Sequence, residues 1–132
     1  MPRDPLFLSV DDVLHLHTST IQVEGGAAGI RELGLLESAV LTPQQQFGGE
    51  YLHPDVPAMA AAYLYHLCRN HPFVDCNKRV SAMAAYVFLD VNGWSLDAPE
   101  PELEQVVLDL AAGKTTKLDL ADWFRDQVRG PA

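Results

Sequence analysis

The sequence predicts an all-α fold, a compact bundle of about six helices formed by one domain, residues 1–132. Three observations favour this fold. Apolar residues recur at helical spacing in six segments, and glycine or proline residues lie between these segments. No internal repeat, low-complexity run or interdomain linker divides the chain. A length of 132 residues is also sufficient to bury a hydrophobic core.

The first two helices are predicted from their start and stop signals. Ser9 and Asp12 form a capping pair, and the helix that follows them is expected to run to about Thr20. A second helix is predicted at residues 31–41, because its leucine, alanine and valine residues share one face and Pro43 stops it.

The other four helices are predicted from apolar periodicity. The third helix contains Ala60–Ala62, and such small residues permit a neighbouring helix to approach closely, so we expect this helix to be central. These four helices are predicted at residues 54–69, 77–91, 99–113 and 118–128.

A nine-residue stretch between the third and fourth predicted helices concentrates polar and charged side chains. Its sequence is His-Pro-Phe-Val-Asp-Cys-Asn-Lys-Arg at residues 71–79. Pro72 disfavours a helical conformation of His71, so the preceding helix is expected to end before it. From Val80 onward the apolar residues return to helical spacing. The stretch is therefore predicted to be a loop that runs into the N-terminus of a helix.

The start of that helix is a predicted anion site. Backbone N–H groups in a first helical turn lack partners, and the helix dipole favours negative charge there. Asn77, Lys78 and Arg79 add side-chain donors that suit phosphate. Asp75 would repel a phosphate unless a hard cation lay between them, and Mg²⁺ typically binds carboxylates together with substrate phosphates. Because histidine ordinarily titrates near neutrality, His71 is the predicted general base.

A solvated turn without any chemistry is the alternative interpretation of the same stretch. For each residue taken alone this interpretation is favoured, and a lone histidine in particular is more often structural than catalytic. The joint arrangement of a base, a carboxylate and cationic donors around one helix start favours the phosphate site. Phe73, the apolar residue of the stretch, is expected to anchor the loop in the core.

Residues 71–79 resemble the core motif of the Fic/Doc superfamily, H-x-F-x-(D/E)-(A/G)-N-(K/G)-R. The resemblance is stronger to the Doc (death-on-curing) branch, because Lys78 stands where Fic adenylyltransferases usually have glycine. The second arginine of the longer Fic motif is replaced by Ala82. Gly25-Gly26 and residues 29–40 are also similar to the upstream segment of Doc-like toxins. Cys76 departs from the usual alanine or glycine, which implies a change of loop packing or sensitivity to oxidation.

The resemblance implies a toxin of a type II toxin–antitoxin pair. Such a toxin transfers the γ-phosphoryl group of ATP, with Mg²⁺, to a threonine hydroxyl of elongation factor Tu and arrests translation. An antitoxin encoded nearby, with a disordered segment that folds on the toxin, is the expected inhibitor. His71 is then the catalytic base and Asp75 the metal ligand. The residues implied in nucleotide and phosphate binding are Cys76, Asn77, Lys78 and Arg79.

Two alternatives to the kinase remain open from the sequence. The first is AMP transfer to a protein hydroxyl, as in Fic enzymes. A longer cation at Lys78 is expected to disfavour the nucleotide pose that this reaction needs. The second is a catalytically silent module that binds a partner through residues 44–49, a polar segment in the position of a family flap over the active site. The same segment is also consistent with a plain surface loop.

Thr20 to Gly25 matches the inhibitory pattern S/T-x-x-x-E-(G/N) known in Fic proteins. In those proteins the glutamate, here Glu24, pairs with a motif arginine and obstructs the nucleotide. Only three positions of the pattern are fixed, and Doc-like toxins are inhibited by a separate antitoxin. We therefore interpret the match to the inhibitory pattern as a coincidence.

Histidine and cysteine spacing does not predict a zinc site. His15 and His17 lie two residues apart and so do not share a helical face, and we interpret them as ordinary helix residues. A second group of possible ligands does not match a paired finger pattern, and it offers only two thiolates. Its members are His66, Cys68, His71 and Cys76.

Composition excludes several classes of function. The chain has 18 acidic and 9 basic residues, a net charge of -9, which argues against nonspecific nucleic-acid binding. No segment approaches the ~20 apolar residues that a membrane span needs. The first 11 residues lack the features of a signal peptide. Two cysteines form no disulfide framework, so a cytoplasmic location is expected.

Overall fold

The computed structural model describes residues 4–131 and confirms the all-α fold, with six α-helices in this part of the chain. They are α1 Val10–Glu24, α2 Leu33–Leu41, α3 Val56–Asn70, α4 Asn77–Val91, α5 Glu100–Ala111 and α6 Lys117–Gln127. Four strands of two residues form two antiparallel pairs, β1 Gln46–Phe47 with β2 Glu50–Tyr51, and β3 Ser95–Leu96 with β4 Val128–Arg129. None of the helices described here is long and apolar enough to cross a membrane.

Helix α1 begins as predicted and ends one turn later than predicted. Ser9 and Asp12 form the expected capping box. Beyond Thr20 no residue breaks the helix until Gly25, whose φ of 79° is incompatible with a helix. The helix therefore carries Glu24 in its last position.

Helix α2 begins two residues later than predicted. Arg31 and Glu32 are not helical, because both donate their backbone N–H groups to the carbonyl of Pro72. The segment before α2 is therefore bound to the predicted phosphate loop rather than to the helix that follows it.

Helix α3 is central, as its small residues predicted. It packs against α2, α4, α5 and α6, and Ala60–Ala62 are fully buried. Tyr63 is buried among them, and its hydroxyl accepts a hydrogen bond from the backbone of Leu8 at 2.9 Å. Burial raises the pKa of Tyr63 to about 12. Because α3 ends at residue 70 and α4 starts at residue 77, this pair of helices fixes both ends of the loop.

The polar segment 44–49 contributes to a short hairpin formed by β1 and β2. Gly48 and Gly49 make its turn, and Phe47 is 81% exposed at its tip. A role for this hairpin as a flap stays a prediction.

Candidate active site

Residues 71–79 form a loop and the first turn of α4, as predicted. Two non-glycine residues with a left-handed backbone bound the loop. His71, with φ 52°, ends α3, and Cys76, with φ 66°, precedes α4. This conformation costs a residue with a Cβ atom about 1–2 kcal/mol. Contacts from outside the loop must therefore hold both residues in place.

These contacts come from residues 25–32, which we call the strap. The strap runs antiparallel to the loop. The N–H of Val74 donates to the carbonyl of Gly29 at 3.1 Å, and the N–H of Arg31 donates to the carbonyl of Pro72 at 2.7 Å. The loop is thus ordered by contacts with a segment at least 40 residues earlier in the sequence.

The strap also holds the carboxylate of Asp75. Its Oδ2 accepts a hydrogen bond from the N–H of Ala27 at 3.1 Å, and its Oδ1 accepts one from the N–H of Cys76 at 2.8 Å. The bond from Ala27 and then the bond from Cys76 lower the pKa of Asp75. A Cβ atom on Gly26 would lie only 2.8 Å from Oδ2. Asp75 is therefore an exposed, ionised carboxylate whose position depends on glycine at residue 26.

The carboxylate of Asp75 suits a hard cation such as Mg²⁺. It is ionised, exposed and oriented by backbone N–H groups, and each oxygen keeps a lone pair. Within residues 4–131 there is no group of three or more His, Cys, Asp or Glu side chains that could hold a metal. A cation at Asp75 would therefore take its other ligands from water and from phosphate, as Mg²⁺ commonly does.

Asn77 holds the loop closed. Its Oδ1 accepts from the N–H of Phe73 and its Nδ2 donates to the carbonyl of Phe73, both at 2.9 Å. Asn77 is buried, and Phe73 is anchored in the core as expected. The sequence predicted that the amide side chain of Asn77 adds a donor for phosphate, whereas in the structure both of its polar atoms bind the loop. What Asn77 can offer an anion is its backbone N–H.

The N-terminus of α4 has no side-chain cap. In the described part of the chain, the backbone N–H groups of residues 77–79 have no acceptor, and the first helical bond is from Val80 to Cys76. Lys78 is exposed beside them. The described structure therefore has free backbone donors at the helix start, the geometry that an anion site needs, and anion binding there stays a prediction.

Arg79 is paired with three carboxylates. Its Nε lies 3.0 Å from Glu24, and its Nη1 lies 3.6 Å from Glu100 and 3.7 Å from Glu104. We interpreted the match of Glu24 to the inhibitory pattern as coincidence, yet the structure contains the contact between this glutamate and the motif arginine. Arg79 also lines three neighbouring clefts of about 220, 260 and 150 Å³.

Comparisons with known proteins agree with this geometry. The sequence pattern of the Fic/DOC family matches residues 7–89, which include α1, the strap, the loop and most of α4. The chain belongs to the Fic/Doc family. It is 41% identical over 92 residues to "Toxin Doc" of Mycolicibacterium smegmatis, covering 70% of this chain and 68% of that protein. It is 30% identical over 118 residues to "Protein kinase doc" of Escherichia phage P1, covering 89% and 92% respectively.

One residue that supports the Fic/Doc loop was missed by the sequence reasoning. His17 is buried, its ring stacks on Phe73 with centroids 3.9 Å apart, and its Nε2 lies 3.0 Å from the carbonyl oxygen of Asp75. The interpretation as an ordinary helix residue is therefore wrong for His17, whereas His15 is exposed. Its position on the same face of α1 as Val13 and Thr20 was the available signal, because a histidine on the buried face of a helix needs a polar partner.

Cys76 occupies the Fic/Doc position that usually holds alanine or glycine. Its Sγ lies 3.6 Å from the carbonyl of Gly25, and the thiol fits between the loop and the strap. Burial, and then the charges of Asp75 and Glu24, raise the pKa of Cys76. A neutral thiol is a poor nucleophile, so the geometry favours a packing role over sensitivity to oxidation.

Proposed function

We propose that this protein is the toxin of a toxin–antitoxin pair and a protein kinase that transfers the γ-phosphoryl group of ATP to a hydroxyl group of a translation factor. A threonine of elongation factor Tu is the expected target. The main support is the uncapped start of α4, where free backbone N–H groups and two cationic side chains adjoin an ionised carboxylate. The names of the two relatives, a Doc toxin and a Doc protein kinase, support the toxin and the kinase.

In the proposed reaction the target hydroxyl oxygen attacks the γ-phosphorus. His71 accepts the hydroxyl proton, the bond between the γ-phosphorus and the β–γ bridging oxygen breaks, and ADP leaves. The free N–H groups of residues 77–79, with Lys78 and Arg79, bind the phosphate oxygens. Positioning and neutralisation of charge provide most of the acceleration, as in other phosphoryl transfers.

Asp75 is the proposed ligand for Mg²⁺. Asp75 would hold the cation, which would supply neutralisation of the phosphate charge. The protein contributes the orientation of the carboxylate through the N–H of Ala27 and the absence of a side chain at Gly26.

Nucleotide binding must compete with the ion pairs of Arg79. The pair with Glu24 is partly exposed, with 38% and 41% of the two side chains accessible, so it contributes at most about 1 kcal/mol. We propose that ATP phosphate displaces Glu24 and that this glutamate lowers the affinity of the free toxin for nucleotide. A Glu24→Gln variant with an unchanged KM for ATP would contradict this part of the proposal.

The proposed antitoxin is a small protein whose disordered segment folds on this chain. The cleft of about 150 Å³ between α1 and α4 supports a site near the motif, because Leu16, Val23 and Met83 line it together with Arg79. A helix placed there would cover the arginine. Binding of the small protein encoded next to this one can be measured by calorimetry. If no binding is detected, the proposed antitoxin interaction is contradicted.

The experiment that tests the kinase uses ATP labelled on either the γ- or the α-phosphate. The purified chain is incubated with Mg²⁺ and bacterial elongation factor Tu, beside His71→Ala and the control His15→Ala, which changes another exposed histidine. We expect label to move only from the γ-position, and only when His71 is present. Transfer from the α-position would instead favour AMP transfer.

Failure of both labels to move would be interpreted with a toxicity assay in cells. The silent binding module predicts that His71→Ala remains as harmful as the parent protein. The kinase predicts that this variant is harmless, because the proton acceptor is missing.

A further inference from the structure

Arg31 lies in the strap, outside the motif, and binds the end of α3. Its Nε donates to the carbonyl of His71 at 2.7 Å and its Nη2 donates to the carbonyl of Asn70 at 2.9 Å. Its backbone N–H donates to the carbonyl of Pro72 at 2.7 Å. One residue therefore satisfies three consecutive carbonyl groups where α3 becomes the loop.

These carbonyl groups lie at the end of α3, where the backbone is costly for two reasons. The last carbonyls of a helix lack partners within it and carry partial negative charge, which an arginine side chain complements. His71 must in addition adopt a left-handed conformation, with φ 52°, although it has a side chain. The planar guanidinium of Arg31 binds the carbonyl oxygens of Asn70 and His71 together, so it holds these two carbonyl groups in one relative orientation.

The backbone conformation of His71 decides where its imidazole points. A change of φ from the left-handed to the right-handed region redirects the Cα–Cβ bond, and the side chain moves with it. The contacts of Arg31 therefore act on the direction of the imidazole without touching it.

We propose that Arg31 is a positioning residue for His71. It holds His71 in the left-handed conformation and thereby directs the imidazole to the hydroxyl group that it deprotonates. The inference rests on the proposed role of His71 as proton acceptor, and it adds a residue outside the motif to that role.

The position of Arg31 permits a test that separates positioning from folding. Arg31 is exposed, so its removal opens no cavity in the core. The bonds from Glu32 to Pro72 and from Val74 to Gly29 involve only backbone atoms and survive the substitution.

The kinetic test compares Arg31→Ala, Arg31→Lys and a control, Arg125→Ala. Arg125, on α6, is another exposed arginine, and it is bound to Asp122 on the same helix and to Asp55 at the N-cap of α3. We expect Arg31→Ala to lower kcat roughly 10- to 100-fold, because small misplacements of a reacting group have effects of this size. The KM for ATP should change less than twofold, Arg31→Lys should recover part of kcat, and the control should keep full activity. A kcat of Arg31→Ala equal to that of the parent would overturn the proposal.

The second measurement does not depend on phosphate transfer. The ¹³Cα and ¹³Cβ chemical shifts of His71 report its backbone conformation in labelled protein. In Arg31→Ala we expect the left-handed signature of His71 to be lost while the shifts of α4 stay unchanged. A left-handed signature that persists would contradict the inference. If the parent protein transferred no phosphate, loss of the signature in the variant would still support control of His71 by Arg31, and only the proposed function would fail.

Discussion

Helices α4 and α6 start in opposite ways. At α6 the hydroxyl of Thr116 accepts from the N–H of Asp119 at 3.1 Å, and the Asp119 carboxylate accepts from the N–H of Thr116 at 3.4 Å. At α4 the capping position is held by Cys76 in a left-handed conformation, and no side chain within residues 4–131 accepts from the first turn. The start of α6 thus satisfies two of its N–H groups with its own side chains, whereas in the described structure the N–H groups of residues 77–79 at the start of α4 have no acceptor.

The difference separates stability from binding. A capping side chain typically contributes about 0.5–2 kcal/mol, and α4 lacks this contribution. Because α4 is not capped, its free N–H groups remain available to an anion, and Lys78 and Arg79 lie in the same turn. An uncapped helix start that is also rich in cations is therefore a better sign of a binding site than either property alone.

The largest expected effect comes from a carboxylate placed at the open helix start. Lys78→Glu should lower phosphate transfer on the order of 100-fold or more, because it removes a cation and adds a competing anion. The melting temperature should not fall, since an acidic residue near a helix N-terminus is stabilising. The control is Leu118→Glu, at the equivalent second position of α6, where activity should be retained. Equal loss of activity in both variants would contradict the comparison.

A smaller loss of phosphate-transfer activity is expected when a substitution pushes the strap away from Asp75. Gly26→Ala places a Cβ atom 2.8 Å from the carboxylate, so we expect activity to fall roughly 10- to 100-fold and to require more Mg²⁺. Gly25→Ala is the matched control. It also introduces backbone strain, at φ 79°, but its Cβ atom would meet no other atom within 4 Å. Activity measured against Mg²⁺ concentration distinguishes the two variants. Identical Mg²⁺ dependence in both would show that the contact with Asp75 is unimportant.

His66 is influenced by Lys117, the first residue of α6, and it predicts how the stability of the protein depends on pH. Burial, and then the charges of Lys117 and His53, lower the pKa of His66 to about 4 from 6.5. Between these values the unfolded chain binds the proton more readily, so the free energy of unfolding should decrease as the pH falls from 6.5 to 4. For a partly exposed imidazole we expect on the order of 1–2 kcal/mol. Urea unfolding of the parent and of His66→Gln measures this, and the same slope in both would exclude His66 as its source.

The smallest effect is expected from removing the cap of α6. Thr116→Ala should lower the free energy of unfolding by about 1 kcal/mol and leave phosphate transfer unchanged. Thr116→Ser should retain most of the stability, because serine supplies the same acceptor. Chemical denaturation and the transfer assay measure the two quantities. A loss of activity in Thr116→Ala would mean that the two helix starts are not independent.

The sequence predicted the fold well wherever local signals decide it. The bounds of α4, residues 77–91, were predicted from periodicity, and the capping box at Ser9 was also predicted correctly. The late end of α1 and the late start of α2 were missed. At α2 the reason is physical, because Arg31 bonds to Pro72 instead of joining a helix, and such a long-range contact leaves no periodic pattern.

The position of the loop before α4 was predicted correctly, but the contacts that shape it were predicted only in part. The motif predicted a loop before a helix start, and the structure contains it. The role of Asn77 in closing the loop, the stacking of His17 on Phe73 and the support of Asp75 by Ala27 were not predicted. Each of these depends on tertiary contacts or on the direction of one side chain.

The dependence of the loop on the strap has a consequence for protein engineering and for searches by motif. The nine residues are not a transferable unit, because several groups that shape them lie between residues 17 and 32. A graft of residues 71–79 onto another helical hairpin would carry every side chain of the motif and still lack the contacts that shape the loop. A search for related enzymes therefore gains more from pairing the motif with an upstream Gly-Gly and arginine than from refining the motif itself.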